Sequence, residues 1–323
     1  AVEGGVSGEN IWARSVMHSL TILGYTYLVC NDVTEGLELY HLVGAMTRMV
    51  IMEYNNVEDC WYRREEVHAP PFRCLASPEH PLDIPVWKMF RFGFWNHEFH
   101  PLGGPWHLTP ENYLATDIKT TSTYLGYSVD HWCSQIPPVP TQDRDNGVYI
   151  LAKNSEYFTK SKYNESLIPH LAGKGVRFTV GIGEANSFAW PDTTNLGKLS
   201  HEQFNIQLSR SRVLLGLGPP YTSPSPYYAL CFGVPFVNPI ENYDSKRPHD
   251  RVHWRTQHDP LKWMNPPYVY NVHADNMTEV AEAIMRALES PLTEKWVPEH
   301  MKTDAARNNV EKIVLTDWRG KAE

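Results

Sequence analysis

The spacing of apolar and polar positions changes period along the chain, alternating between the patterns of strands and helices. Residues 213–217 form a short apolar run with no polar alternation, which predicts a strand buried on both faces in a parallel sheet and ended by Gly218. The next residues are prolyl, small or hydroxylated. Ser225-Pro226 places an N-cap residue before a proline at the first helical position, so a short helix should follow, closed by Gly233. Free N–H groups at its start would face the carboxyl edge of the sheet, where open α/β sheets take anionic ligands. Neither GxGxxG nor GxxxxGK[ST] occurs there.

The same reading extends from the N-terminus. Gly4-Gly5-Val6-Ser7-Gly8-Glu9 opens a helical pattern with Trp12, Val16, Leu20 and Leu23 on one face, stopped by Gly24. Residues 25–30 then predict a strand, 34–48 a helix and 49–54 a strand. Residues 55–85 are charged, prolyl and aperiodic, which predicts a long loop. The aromatic stretch 87–98 and residues 122–129 predict the last strands of a first domain, 1–134. Prolines at 137, 138 and 140 mark residues 135–147 as a linker to a second domain, 148–323. That domain should contain a strand over 148–152 ending at Lys153, a helix over 156–172 and a strand over 176–180. Ser200-x-x-Gln203 is a capping box for a helix reaching Arg210. A strand over 268–272, an amphipathic helix carrying Val280, Ala283, Ile284, Ala287 and Leu288, and a last helical stretch over 302–318 complete it.

Composition narrows the function classes. A chain of 323 residues, 42% hydrophobic and 20% charged, can bury ordinary cores. Its formal charge of −8 argues against nucleic acid or an anionic membrane as the main partner, so any phosphate site must be locally basic. The 11 Trp and 17 Tyr include enough rings to fill cores and still line a sugar cleft. The cysteines at 30, 60, 74, 133 and 231 match no zinc spacing, and Cys60 and Cys74 could pair. Asn164-Glu-Ser and Asn276-Met-Thr are glycosylation sequons and tilt the reading towards a secretory compartment, although Asn276 is also placed to cap a helix with Glu279. No apolar run is long enough to span a bilayer. His97 and His100 have ligand-like spacing without a third partner, and Asp143-Arg144-Asp145 reads as a solvated charge cluster, so no metal site is expected.

One stretch carries more than fold. Gly216-Leu217-Gly218-x-Pro220-Tyr221-x-x-Pro224-x-Pro226-x-x-Ala229, continued by Gly233 and Phe236-x-Asn238-Pro239, resembles the donor-binding segment of glycosyltransferase family 18. The resemblance implies an α/β fold of the GT-B type: two Rossmann-like domains with parallel sheets facing a central cleft, and a terminal helix packing back on the first. It implies an inverting, metal-independent glycosyltransferase. Such an enzyme would move N-acetylglucosamine from UDP-GlcNAc to a mannose-containing N-glycan on a glycoprotein or oligosaccharide. It would need no cofactor beyond the nucleotide sugar and would work in the Golgi lumen or elsewhere in the secretory pathway, with its membrane anchor expected outside these residues.

Residue by residue, the comparison makes Glu9 the catalytic base and puts Trp106 on the acceptor. It puts Lys153, Gly216, Gly218, Pro220, Tyr221, Ser225, Pro226, Tyr228, Lys246 and Arg247 on the donor. Tyr228 stands where the family carries a glutamate that holds the ribose hydroxyls, and a phenol is no bidentate acceptor. Two alternatives therefore stay open: a glycan-binding relative that has lost donor binding, and a GT-B-like sugar-nucleotide epimerase.

Overall fold

The computed structural model describes residues 8–53, 56–57, 60, 74–94, 100–112, 121–137, 139–145, 147–183 and 190–323. Contacts divide the chain into two units: Trp12–Tyr127 with Thr303–Glu323, and the helical turn before Trp12 with Ser128–Lys302.

Helix α1 (Gly8–Ile22), which from Trp12 onward belongs to the first unit, buries Ile11, Trp12, Ser15, Val16 and Ser19, a stripe at helical spacing one position round from the expected face. Gly24, at φ +77°, ends it as expected. Helix α2 (Val33–Val43) starts at an Asp32 cap that accepts the Glu35 N–H. Strands β1 (Val50–Glu53), β2 (Met89–Phe92), β3 (His107–Thr109) and β4 (Thr123–Tyr124) form a parallel sheet in that order. The strand expected over residues 25–30 is absent. Those residues join no ladder among the described residues, and Tyr27, Leu28 and Val29 are exposed.

Helix α3 (Asp130–Cys133) opens the second unit, whose sheet is built from β5 (Gly147–Leu151) outwards. Helices α4 (Glu156–Lys160) and α5 (Leu167–Ala172) replace the single helix expected over 156–172. Asn164 Oδ1 accepts the Ser166 N–H at 2.9 Å and its hydroxyl at 2.7 Å, a local turn that competes with helix. Strand β6 (Arg177–Val180), strand β7 (Thr193–Asn195), helix α6 (His201–Arg210), strand β8 (Val213–Gly216) and helix α7 (Ser225–Cys231) follow. The capping box at Ser200 and Gln203 is formed in full.

Strands β9 (Phe236–Asn242), β10 (Arg255–Thr256) and β11 (Val269–His273) finish the sheet, before α8 (Met277–Glu289), α9 (Thr303–Leu315) and α10 (Trp318–Ala322). The parallel order is β7-β6-β5-β8-β9-β11, with β10 antiparallel against the far end of β9. The chain winds from β5 to one side and returns through β8 on the other. The β5/β8 junction is therefore a topological switch point, and the crevice outside its carboxyl ends is where such sheets bind ligands. Helices α9 and α10 cluster with the first unit, where the Trp318 ring meets Phe90 and Trp106 edge-on, at 4.8 and 5.3 Å.

The prolyl stretch expected to link the two domains, 135–147, lies within the second unit and is fastened to it. Cys133 is disulfide-bonded to Cys231, and Lys295 Nζ donates to the carbonyls of Cys133 and Ile136. Arg144, expected in a solvated cluster, is buried and donates to the carbonyls of Val139, Phe232 and Gly233, because the turn that ends α7 leaves carbonyls a guanidinium can satisfy. A second disulfide joins Cys60 and Cys74, and Cys30 is a free, exposed thiol. The Cys133–Cys231 bridge spans 98 residues, so replacing both cysteines by serine should cost about 2–5 kcal/mol, read as a lower urea midpoint. An unchanged midpoint would show that the bridge constrains nothing.

Candidate functional site

The segment after β8 is shaped by one buried side chain. Gln257 follows β10 and is 1% exposed. Its Oε1 accepts the Gly218 N–H at 3.3 Å, its Nε2 donates to the Pro220 carbonyl at 3.3 Å, and its own carbonyl accepts the Thr222 N–H at 3.0 Å. A Cβ at position 216 would land on Gln257 Oε1, so Gly216 is required by this amide. Gly218, at φ +114°, has the Glu241 carboxylate where its side chain would stand. Thr222 is buried at φ +58°, a conformation that costs a β-branched residue about 1–3 kcal/mol and survives only where surroundings enforce it.

The start of α7 differs from expectation. The Ser225 N–H goes to Ser223 Oγ at 3.3 Å, Pro226 has none, and the Tyr227 and Tyr228 N–H groups reach the Pro224 carbonyl at 3.0 and 3.3 Å. The donors expected to be free are thus used within the turn, leaving no ready-made anion site there. Tyr228 and Pro226 are core residues. The Tyr228 ring is 1% exposed and meets the His201 ring edge-on at 5.3 Å, because α7, packed on α6, buries that face, which rules the ring out as an open donor contact. Gly233 closes the helix as expected, with the Val234 N–H returning to the Ala229 carbonyl at 2.8 Å.

The polar groups that do stand at this edge come from elsewhere. Tyr221 is 42% exposed, and its hydroxyl is raised by partial burial and by its hydrogen bond to Glu241. Lys162 Nζ donates to the Glu241 carbonyl and, at 3.0 Å, to Asn242 Oδ1. Lys153 is exposed just past β5, on the other side of the switch point. Of the two basic residues expected from the later loop, Lys246 is exposed and Arg247 is held by Asp244 at 3.0 Å, Asp250 at 3.4 Å and His253 at 2.8 Å. The geometry thus brings Gly216, Gly218, Pro220, Tyr221 and Ser225 onto one loop, with Lys153 at the same sheet edge. Gln257, Glu241 and Lys162 were missed. Gln257 follows the stretch that carries Lys246 and Arg247, and nothing in the local spacing distinguishes it, Glu241 or Lys162.

In the first unit, Trp106 is 3% exposed, stacks on His100 and donates its indole N–H to the Trp87 carbonyl at 3.0 Å. This is a core ring, which corrects its placement as an acceptor platform, because the ring is buried and its donor is used within the fold. Glu9 is exposed in the first turn of α1. His97 lies outside the described residues, and His100 is a structural histidine whose Nε2 meets the Met89 carbonyl at 3.0 Å. Burial lowers His100 to about 4. Among the described residues, no group of three or more His, Cys, Asp or Glu could hold a metal ion, and no helix is long and apolar enough to cross a membrane.

Residues 94–314 match glycosyltransferase family 18. Curated relatives from Homo sapiens and Mus musculus, each an α-1,6-mannosylglycoprotein 6-β-N-acetylglucosaminyltransferase A, are 24% identical over 207 residues. The alignment covers 60% of this chain and 27% of theirs, so the chain spans about a quarter of their length. The solved sucrose-phosphate synthase of Thermosynechococcus elongatus is 12% identical, with 98% of this chain and 91% of that one covered at a TM-score of 0.50. The fold is of the GT-B class.

Two buried histidines make the fold acid-sensitive. Burial lowers His258, fully enclosed and edge-on to Tyr227 at 4.9 Å, to about 3, with only partial opposition from a backbone contact at Ser223. A histidine at its ordinary value of 6.5 in the unfolded chain takes up a proton before His100 or His258 does when folded. Their contribution is therefore present above pH 6.5 and is lost as pH falls towards 4 and 3. The thermal midpoint should drop between about pH 7 and pH 4, less steeply in His100→Gln; equal slopes would remove His100 from this account.

Proposed function

The chain belongs to glycosyltransferase family 18, and on that premise we propose that it moves N-acetylglucosamine from UDP-GlcNAc to a mannose-containing N-glycan, with inversion and without a metal. The observation that carries this reading is the Gln257-braced loop from Gly216 to Ser225 at the switch point of a doubly wound sheet. Family-like sequence and ligand-binding topology coincide at that loop.

In the proposed reaction, Glu9 takes the proton from an acceptor hydroxyl as its oxygen attacks the anomeric carbon from the face opposite the diphosphate. The carbon–oxygen bond to the diphosphate breaks, and its electron pair leaves on the phosphate oxygen. Compensation for that charge falls to Lys153 and Lys162, since the N–H groups at the start of α7 are used internally. Two disulfides fit the oxidising lumen of the secretory pathway, and the Golgi is the compartment proposed.

A second reading rests on Tyr228. With its ring in the core, the chain could be a glycan-binding relative that no longer holds a donor. Calorimetry with UDP separates the two.

Glu9→Gln keeps shape and removes the proton acceptor, so turnover of UDP-GlcNAc with a mannose-terminated N-glycan should fall about 100-fold or more while UDP affinity holds. EDTA should leave the wild-type rate unchanged. Near-normal turnover in the variant would return Glu9 to a helix-end role, and a rate abolished by EDTA and restored by manganese would overturn the metal-free mechanism.

A further inference from the structure

Resting on the donor reading above, we propose that Glu241 accepts the vicinal hydroxyl pair of the donor's ribose. A ribose presents two adjacent O–H donors, and a carboxylate accepts both, as an acidic residue does for the ribose in dinucleotide-binding folds of this topology. Tyr228 cannot do this from the core, where its ring is 1% exposed.

Other described carboxylates near this edge are committed. Glu156 is paired with Lys160 at 3.0 Å, and Asp244 with Arg247 at 3.0 Å. Asp259 accepts the Thr256 N–H at 2.8 Å and its hydroxyl at 3.1 Å. Glu241 is different because its carboxylate lies against the loop. It comes off the carboxyl end of β9, is half-buried, and packs its carboxylate against Gly218 where a side chain would otherwise stand. The Tyr221 hydroxyl takes one of its acceptor sites, which leaves others open, as a carboxylate has about four. Lys162 anchors the same strand end through the Glu241 carbonyl and Asn242, which holds the carboxylate in register with the loop and sets an ammonium beside it for a diphosphate.

The glycine at 218 then has a function beyond turning the chain. Any larger residue would displace the carboxylate from the loop, in addition to being strained at φ +114°.

The test is calorimetry of the whole chain with UDP, 2′-deoxy-UDP and UDP-GlcNAc, for wild type, Glu241→Gln and Glu241→Ala, with thermal midpoints recorded to show that each variant is folded. Wild type should bind UDP about ten-fold more tightly than 2′-deoxy-UDP, the worth of one hydrogen bond to a charged group, and both variants should lose that preference, weakening UDP about ten-fold more than 2′-deoxy-UDP, which keeps only the 3′-hydroxyl contact. If the variants weaken UDP and 2′-deoxy-UDP equally, or neither, Glu241 does not read the diol and the proposal fails while the donor reading stands. If only UDP-GlcNAc weakens, the carboxylate reads the transferred sugar, and the ribose assignment is overturned. If wild type binds none of the three, the donor reading fails and takes the proposal with it.

Discussion

A single buried carboxamide sets the shape of the loop on which the donor reading depends. Gln257 meets the segment at Gly218, Pro220 and Thr222, and its own N–H reaches back to the Pro239 carbonyl on β9 at 3.1 Å. Backbone groups buried without partners cost about 1–3 kcal/mol each, so these contacts select one loop conformation over its alternatives. They also explain Thr222, whose left-handed backbone is tolerated because its N–H is committed to Gln257. The segment carrying Gln257 is fastened in turn. Asn238 accepts the His258 N–H at 3.0 Å and donates to Asn271 at 2.9 Å, while Asn271 donates to the carbonyls of Lys262 and Met264. A satisfied buried network of this kind rigidifies what it joins.

Helix α7 is thereby held at both ends. At its start the braced loop uses up the N–H donors; at its end Arg144 caps the carbonyls of Phe232 and Gly233, and Cys231 is bonded to Cys133. Every residue from Pro226 to Cys231 is buried. A helix fixed this firmly is a scaffold for ligand contacts, and the contacts themselves pass to groups around it: Tyr221, Glu241, Lys153 and Lys162. Chemistry expected of the helix has moved to the strand ends.

Much of the fold was legible in the order of residues. The unalternated apolar run at β8, the capping box at Ser200, the glycine stops at Gly24 and Gly233 and the Asn276 cap of α8 are local features, decided by dihedral preferences and near-neighbour hydrogen bonds, and each is found where expected. What depended on distant partners was not legible. The β-type stretch 25–30 joined no sheet among the described residues, Arg144 left its expected solvent position for carbonyls nearly ninety residues away, and Trp106 and Tyr228 turned out to be core rings because helices packed over them. The glycines of the organising stretch were legible as glycines, but their reason was not. It lies in Gln257 and Glu241, which arrive from other strands, and a side chain from elsewhere in the chain leaves no mark on the spacing of the residues it meets.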